Sequence, residues 1–184
     1  WVNDSNSDDV NTMTLEGRIF NANGTPATGD FRIGSTAVDG SDLFDNDNVT
    51  MTEIAPGRVV VGYVETFATG ATTYPMFSII DSTTGTVLVA DVMIAQSPDH
   101  PWPGPPVIEA LGDSGYFVAV YADGNQFSGG ATGLNYRVFD NDGQPVSGEV
   151  PLTSANSASG LSGLDFFDWD QVDVRLEAAG AAGL

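Results

Sequence analysis

Residues 136–149 read YRVFDNDGQPVSGE, an apolar run of β type that breaks into an Asp, Asn and Gly turn before VPLTSA (150–155) resumes the β pattern. Gly admits a positive φ, and Asp and Asn side chains bond the backbone N–H groups just ahead of them. Such a segment predicts a β-hairpin. It decides the fold because it recurs. GRIF (17–20) enters the turn NANGTPATGD and leaves it into FRIGST (31–36), and FSII (77–80) enters DSTTGTVLVAD and leaves it into VMIAQS (92–97).

Two further strands follow each hairpin. The third is VTMTEI (49–54), PVIEAL (106–111) or VDVRLE (172–177), and the fourth is RVVVGYVET (58–66) or YFVAVYADG (116–124). Aligning Trp1, Tyr63 and Tyr121 on the fourth strand, where they are expected to pack between sheets, sets a period of about 60 residues. The units then run approximately 1–62, 63–120 and 121–184, starting in a fourth strand and stopping before the next one. The expected class is all-β: three repeats of four antiparallel strands each, arranged as β-propeller blades, with a β-sandwich or β-solenoid as the rival architecture. Propellers carry about 4–8 blades. Three units therefore call for completion by the chain's own copies or by the rest of a longer repeat chain, and the offset ends suit strand exchange.

Composition narrows the function. There are 25 Asp and Glu against five Arg and no Lys, a formal charge of −20, so nucleic acid and anionic lipid are excluded as partners. With 41% hydrophobic residues and acids scattered through turns, the chain is expected to fold and to suit a salty or calcium-containing medium. The absence of Cys removes disulfides and thiolate metal sites. No apolar run approaches the roughly 20 residues that span a bilayer, so no membrane insertion is expected. The opening WVNDSNSDD lacks the basic and apolar regions of a signal peptide, which predicts a mature or cut chain.

YRVFDNDGQPVSGEVPLTS (136–154) and GRIFNANGTPATGDFRIGS (17–35), with EALGDSGYFVAVY (109–121) and TEIAPGRVVVGY (52–63), resemble the repeat of very large secreted bacterial adhesins and RTX-type calcium-binding proteins. In those, an apolar L-x-G-G-F-V-V-x-W segment closes the unit, and here Tyr stands for the Trp. The resemblance spans nearly the whole chain in three passes. It implies an extracellular, surface or secreted bacterial protein and does not imply a reaction, and the function expected is structural or adhesive. The RTX nonapeptide itself is absent, so calcium binding does not carry over through that motif.

The acidic loops supply candidate sites. FDNDNV (44–49) and FDWDQV (167–172) share a frame, placing Asp45 with Asp47 and Asp168 with Asp170 before the third strand, with Asp42 and Asp165 three residues upstream. Alternating carboxylates can direct several oxygens at Ca²⁺, which takes about 6–8 oxygen ligands. The same residues also build solvated turns without metal, and the middle unit has PWPGPPV (101–107) instead. Asp140 and Asp142 in FDNDGQPV offer a second cation loop, but FNANGTPA (20–27) and IDSTTGTV (80–87) keep the Gly and lose most of the carboxylates, which favours a hairpin turn. Trp102 and Trp169 lie in loops beside prolines or carboxylates, a setting that stacks and hydrogen-bonds sugars, or else caps a blade. That makes a carbohydrate-binding module the alternative function. A glycan-active enzyme is third, since 25 acids satisfy a carboxylate-pair test by chance. Ser97, Asp99 and His100 are too close in sequence to make a Ser–His–Asp triad without a fold that separates them.

Overall fold

The computed structural model describes residues 2–3, 14–34, 49–66, 73–96, 106–123 and 133–152. These residues are all-β and form three antiparallel sheets. The first sheet holds β1 (Val2–Asn3), β2 (Thr14–Gly17) and β3 (Phe31–Arg32) in that order. The second holds β4 (Thr50–Ala55), β5 (Arg58–Thr66), β6 (Thr73–Asp81) and β7 (Val87–Met93). The third holds β8 (Val107–Ala110), β9 (Tyr116–Asp123), β10 (Gly133–Asp140) and β11 (Val150–Pro151). Every sheet is a meander in which chain neighbours pair, and among the described residues no sheet closes on itself as a barrel.

The second and third sheets each start with the third of the strand types read from sequence and end with the second, because the tight APG and GDSG turns join third to fourth as strongly as the Asp and Asn turns join first to second. Two strands differ from expectation: that of GRIF (17–20), where β2 ends at Gly17 and Phe20 makes only an isolated bridge to Pro26, and the second strand of the middle sheet. The latter was expected at 92–97, whereas β7 begins at Val87, inside the segment read as turn. The turn proper is short, closed by Asp81 N–H on Thr86 O at 2.8 Å, so the apolar VLV that follows pairs at once with β6. Two register shifts along the β6–β7 pair then place Val92 opposite Phe77.

Register is otherwise shared among the sheets. Gly17 pairs with Phe31, Phe77 with Val92 and Tyr136 with Val150. Two residues along, the N–H groups of Ile33, Ile94 and Leu152 donate to the carbonyls of Leu15, Pro75 and Leu134 at 2.9, 2.9 and 2.7 Å.

Alternation along β5 and β6 gives the second sheet two apolar faces. Val61, Tyr63, Met76 and Ile80 pack with Leu15 and Ile33 of the first sheet. Val60, Phe77 and Ile79 pack with Phe117, Ala119, Tyr121 and Phe139 of the third. At the centre of that second core Phe77 meets Phe117 and Phe139 edge-on, with ring centroids 5.2 and 4.9 Å away. Thr50 Oγ1 donates to Pro106 O at 2.6 Å and ties β4 to the approach of β8.

Candidate functional site

The Asp and Asn turns are the acidic sites that the described residues include. In the third sheet, Asp140 N–H donates to Gln144 O and Gly143 N–H to Asp140 O, both at 2.9 Å, and Gly143 sits at φ +78°. The Asp140 Oδ1 atom accepts the N–H groups of Asp142 and Gln144 at 3.0 and 2.8 Å. Arg58 reaches from β5 to donate to Asp142 Oδ1 at 2.7 Å and to Asn141 O at 2.6 Å. The second sheet repeats this with Asp81 Oδ1 accepting Thr83 and Thr84 N–H at 2.8 Å, and Gly85 at φ +73°. Those two backbone donors hold the Asp81 carboxyl below its usual range. Asn21 and Gly24 make the corresponding turn in the first sheet, with Gly24 at φ +82°.

Asp140 and Asp142 thus sit in a hairpin turn, with one oxygen of each carboxylate engaged by the turn or by Arg58. Among the described residues no group of three or more His, Cys, Asp or Glu side chains is placed to hold a metal ion. Asp42, Asp45, Asp47, Asp165, Asp168, Asp170, Trp102 and Trp169 lie outside the described residues, as do Ser97, Asp99 and His100.

The turn glycines also join the sheets. A Cβ on Gly85 would lie 2.5 Å from the Phe31 ring of the first sheet, and one on Gly143 would lie 3.2 Å from Val89 and 3.4 Å from Phe77 of the second. Each later sheet thus seats its hairpin turn on the sheet before it, an approach that the missing side chain makes possible at Gly85 and eases at Gly143. Gly17 occupies the register position that Phe77 fills in the next sheet. In its place the Phe31 ring leans across, 2.9 Å from where a Cβ would stand, beside a cleft of about 550 Å³ lined by Leu15, Ile19, Val59 and Ile80.

A buried polar cluster at the first interface was not legible in the sequence. Tyr63 Oη donates to Asp91 Oδ1 at 2.7 Å and lies 3.0 Å from Ser78 Oγ, while Asp91 N–H donates to Ser78 Oγ at 3.1 Å. Asp91 has φ +50°, the left-handed conformation that Asp tolerates better than most residues. Gly34 makes room for the cluster, since a Cβ there would lie 2.9 Å from the Asp91 carboxylate. Burial first, then the Asp91 bond and charge, push the Tyr63 phenol above its ordinary value, against the opposing bond from Ser78. The phenol is thus a fixed donor and no base. The sequence carried the Tyr as a packing residue, which its ring is, but nothing marked its oxygen.

Tyr63→Phe is expected to lower the unfolding free energy by about 1.5–3 kcal/mol, the net value of a hydrogen bond to a charged group. A phenol whose folded pKa is raised contributes fully below the ordinary tyrosine value of about 10, and loses that contribution as pH climbs toward the folded value. Urea midpoints should therefore fall in the wild type above about pH 10, and fall less in Tyr63→Phe. Equal alkaline slopes would assign the loss to other groups.

The described residues thus define an all-β protein of three antiparallel sheets packed face to face through apolar side chains. Comparison with protein-family models, curated proteins and solved structures returns no match.

Proposed function

We propose that the chain is a non-enzymatic structural or adhesive module of a secreted or cell-surface bacterial repeat protein, built from three units of about 60 residues that stack as propeller blades. The observation that carries this reading is the repeated seating of a turn glycine on the sheet before it, Gly85 on Phe31 and Gly143 on Val89 and Phe77, in which the glycines are equivalent and their partners differ. A molecule that reuses one joint between neighbours grows by addition of units and presents edges and loop tips as its working surface. The shared register of Gly17 with Phe31, Phe77 with Val92 and Tyr136 with Val150 supports the same unit. A sandwich would need two sheets enclosing one core, whereas here the middle sheet is buried on both faces.

A glycan array tests the role. Silence is the expected result, and sugar binding that disappears in Trp102→Ala or Trp169→Ala would replace the structural reading with the carbohydrate-binding one.

The proposal includes Ca²⁺ bound by the loops of Asp42, Asp45 and Asp47 and of Asp165, Asp168 and Asp170, in keeping with a charge of −20 and no Lys. A ligand at a hundred times its dissociation constant stabilises the folded state by about 2.7 kcal/mol, so millimolar Ca²⁺ should raise the melting temperature and EDTA should reverse the gain. Identical melting in Ca²⁺ and in EDTA would remove the cation from the proposal. The same shift in Asp45→Asn/Asp168→Asn would move it to other ligands.

A further inference from the structure

The two sheet interfaces use the same positions, and among the described residues those positions are exposed on the outer faces of the first and third sheets. Ile33, Ile94 and Leu152 share one register position on the face that each sheet turns toward the next. Ile33 and Ile94 are 4% and 0% exposed under the sheet that follows, whereas Leu152 of the third sheet is 52% exposed. The opposite face behaves the same way. Phe20, Ile80 and Phe139 close the first-strand runs GRIF, FSII and YRVF. Ile80 and Phe139 are 7% and 0% exposed against the preceding sheet, and Phe20 of the first sheet, which also borders the cleft beside Phe31 and Val59, is 55% exposed. Gly24 repeats the pattern, since no atom lies within 4 Å of a Cβ built there, while its counterparts Gly85 and Gly143 press on a neighbouring sheet.

We propose that these two open faces are halves of one interface, and that a second copy of the chain docks its third sheet on the first sheet of its neighbour, head to tail. The inference rests on the stacked-module reading. The occupant is a second copy because the interface it would make continues one already present twice, with matched groups on both sides. Arg137 shows what the joint requires: its Nη1 donates to Ile94 O across the interface at 2.8 Å, and its guanidinium lies over the Phe139 ring. Arg18 is the residue in the same place in GRIF, paired at the surface with Asp30. Docking would carry Arg18 to the carbonyl of Leu152 in the second copy, as Arg137 reaches that of Ile94. Phe20 and Gly24 would take the places of Phe139 and Gly143. The faces are unlike one another, so the contact is heterologous, and it gives a closed ring of two copies if the rotation closes and a filament if it does not.

Mass measurement by light scattering tests this, at about 100 μM chain in about 0.5 M NaCl, where repulsion between two acidic copies is screened. The wild type should exceed the monomer mass. Phe20→Asp and Leu152→Asp, both at exposed sites, should each fold with the wild-type circular dichroism. Each should weaken association by about 30-fold or more, the loss of one hot-spot side chain. Mixed together, the two variants should form a one-to-one pair, because Phe20→Asp keeps an intact third sheet and Leu152→Asp an intact first sheet. A wild type that stays monomeric, single variants that keep the wild-type mass, or a mixture that forms no pair would each overturn the proposal. A monomeric wild type in which Gly85→Ala still costs more stability than Gly24→Ala would remove the docking and leave the intrachain stack standing.

Discussion

Phe77→Ala is expected to lower the unfolding free energy by about 3–5 kcal/mol, a large share of the roughly 5–15 kcal/mol that holds a domain together. Phe77 is fully buried between the second and third sheets, and its ring is held edge-on by both Phe117 and Phe139. Alanine removes the apolar area and leaves a cavity that neither sheet can close, because β6 and β9 are pinned in long ladders to their own neighbours. Urea unfolding checks it: the midpoint should fall with the slope unchanged. Phe20→Ala supplies the contrast, since the exposed Phe20 ring should cost no more than about 0.5 kcal/mol in the monomer. Similar losses for the two would mean that the sheets are not packed through Phe77.

The second large effect concerns the turn glycines. All three lie at positive φ, so alanine costs each about 1–2 kcal/mol of backbone strain. Only two of them also meet a neighbouring sheet. At Gly85 the new methyl would stand 2.5 Å from the Phe31 ring, and that ring cannot retreat freely because its other side already lies 2.9 Å from the Cβ position of Gly17. Overpacking of this kind adds about 1–3 kcal/mol. The expected order of destabilisation is therefore Gly85→Ala, then Gly143→Ala, then Gly24→Ala, read from urea midpoints. Adding Phe31→Ala to Gly85→Ala should recover part of the loss, a coupling expected only of residues in contact. Equal penalties at the three sites would reduce all three glycines to turn formers.

Much of this arrangement can be read from particular residues. Asp140 with Gly143, Asp81 with Gly85 and Asn21 with Gly24 announce three turns, since their side chains and their φ act within a few residues. β5 and β9 are recognisable because RVVVGYVET and YFVAVYADG are long, apolar and bounded by Gly turns. β7 was displaced from its expected bounds because VLV after TTG reads as either loop or strand, and only pairing with β6 makes it a strand. The Tyr63, Ser78 and Asp91 cluster could not be anticipated. Those three side chains come from three strands, and their meeting depends on the register shift that turns Asp91 inward.

The candidate cation loops and Trp102 and Trp169 were singled out from residue type and spacing. Their chemistry depends on where the loops lie in space, which spacing does not convey.

By itself, the chain's order of residues determined what is local: an all-β class, three hairpin turns, the strand types and an acidic surface without Lys. Those follow from φ preferences, two-residue alternation and charge, which act over a few positions. Tertiary structure decided the rest: which face of each sheet meets its neighbour, that Phe31 crosses to fill the gap at Gly17, and that Phe20 and Leu152 stand open where Ile80, Phe139, Ile33 and Ile94 are covered. The physical reason is that burial belongs to pairs of surfaces, and equivalent positions along the chain differ only in whether a second surface lies against them.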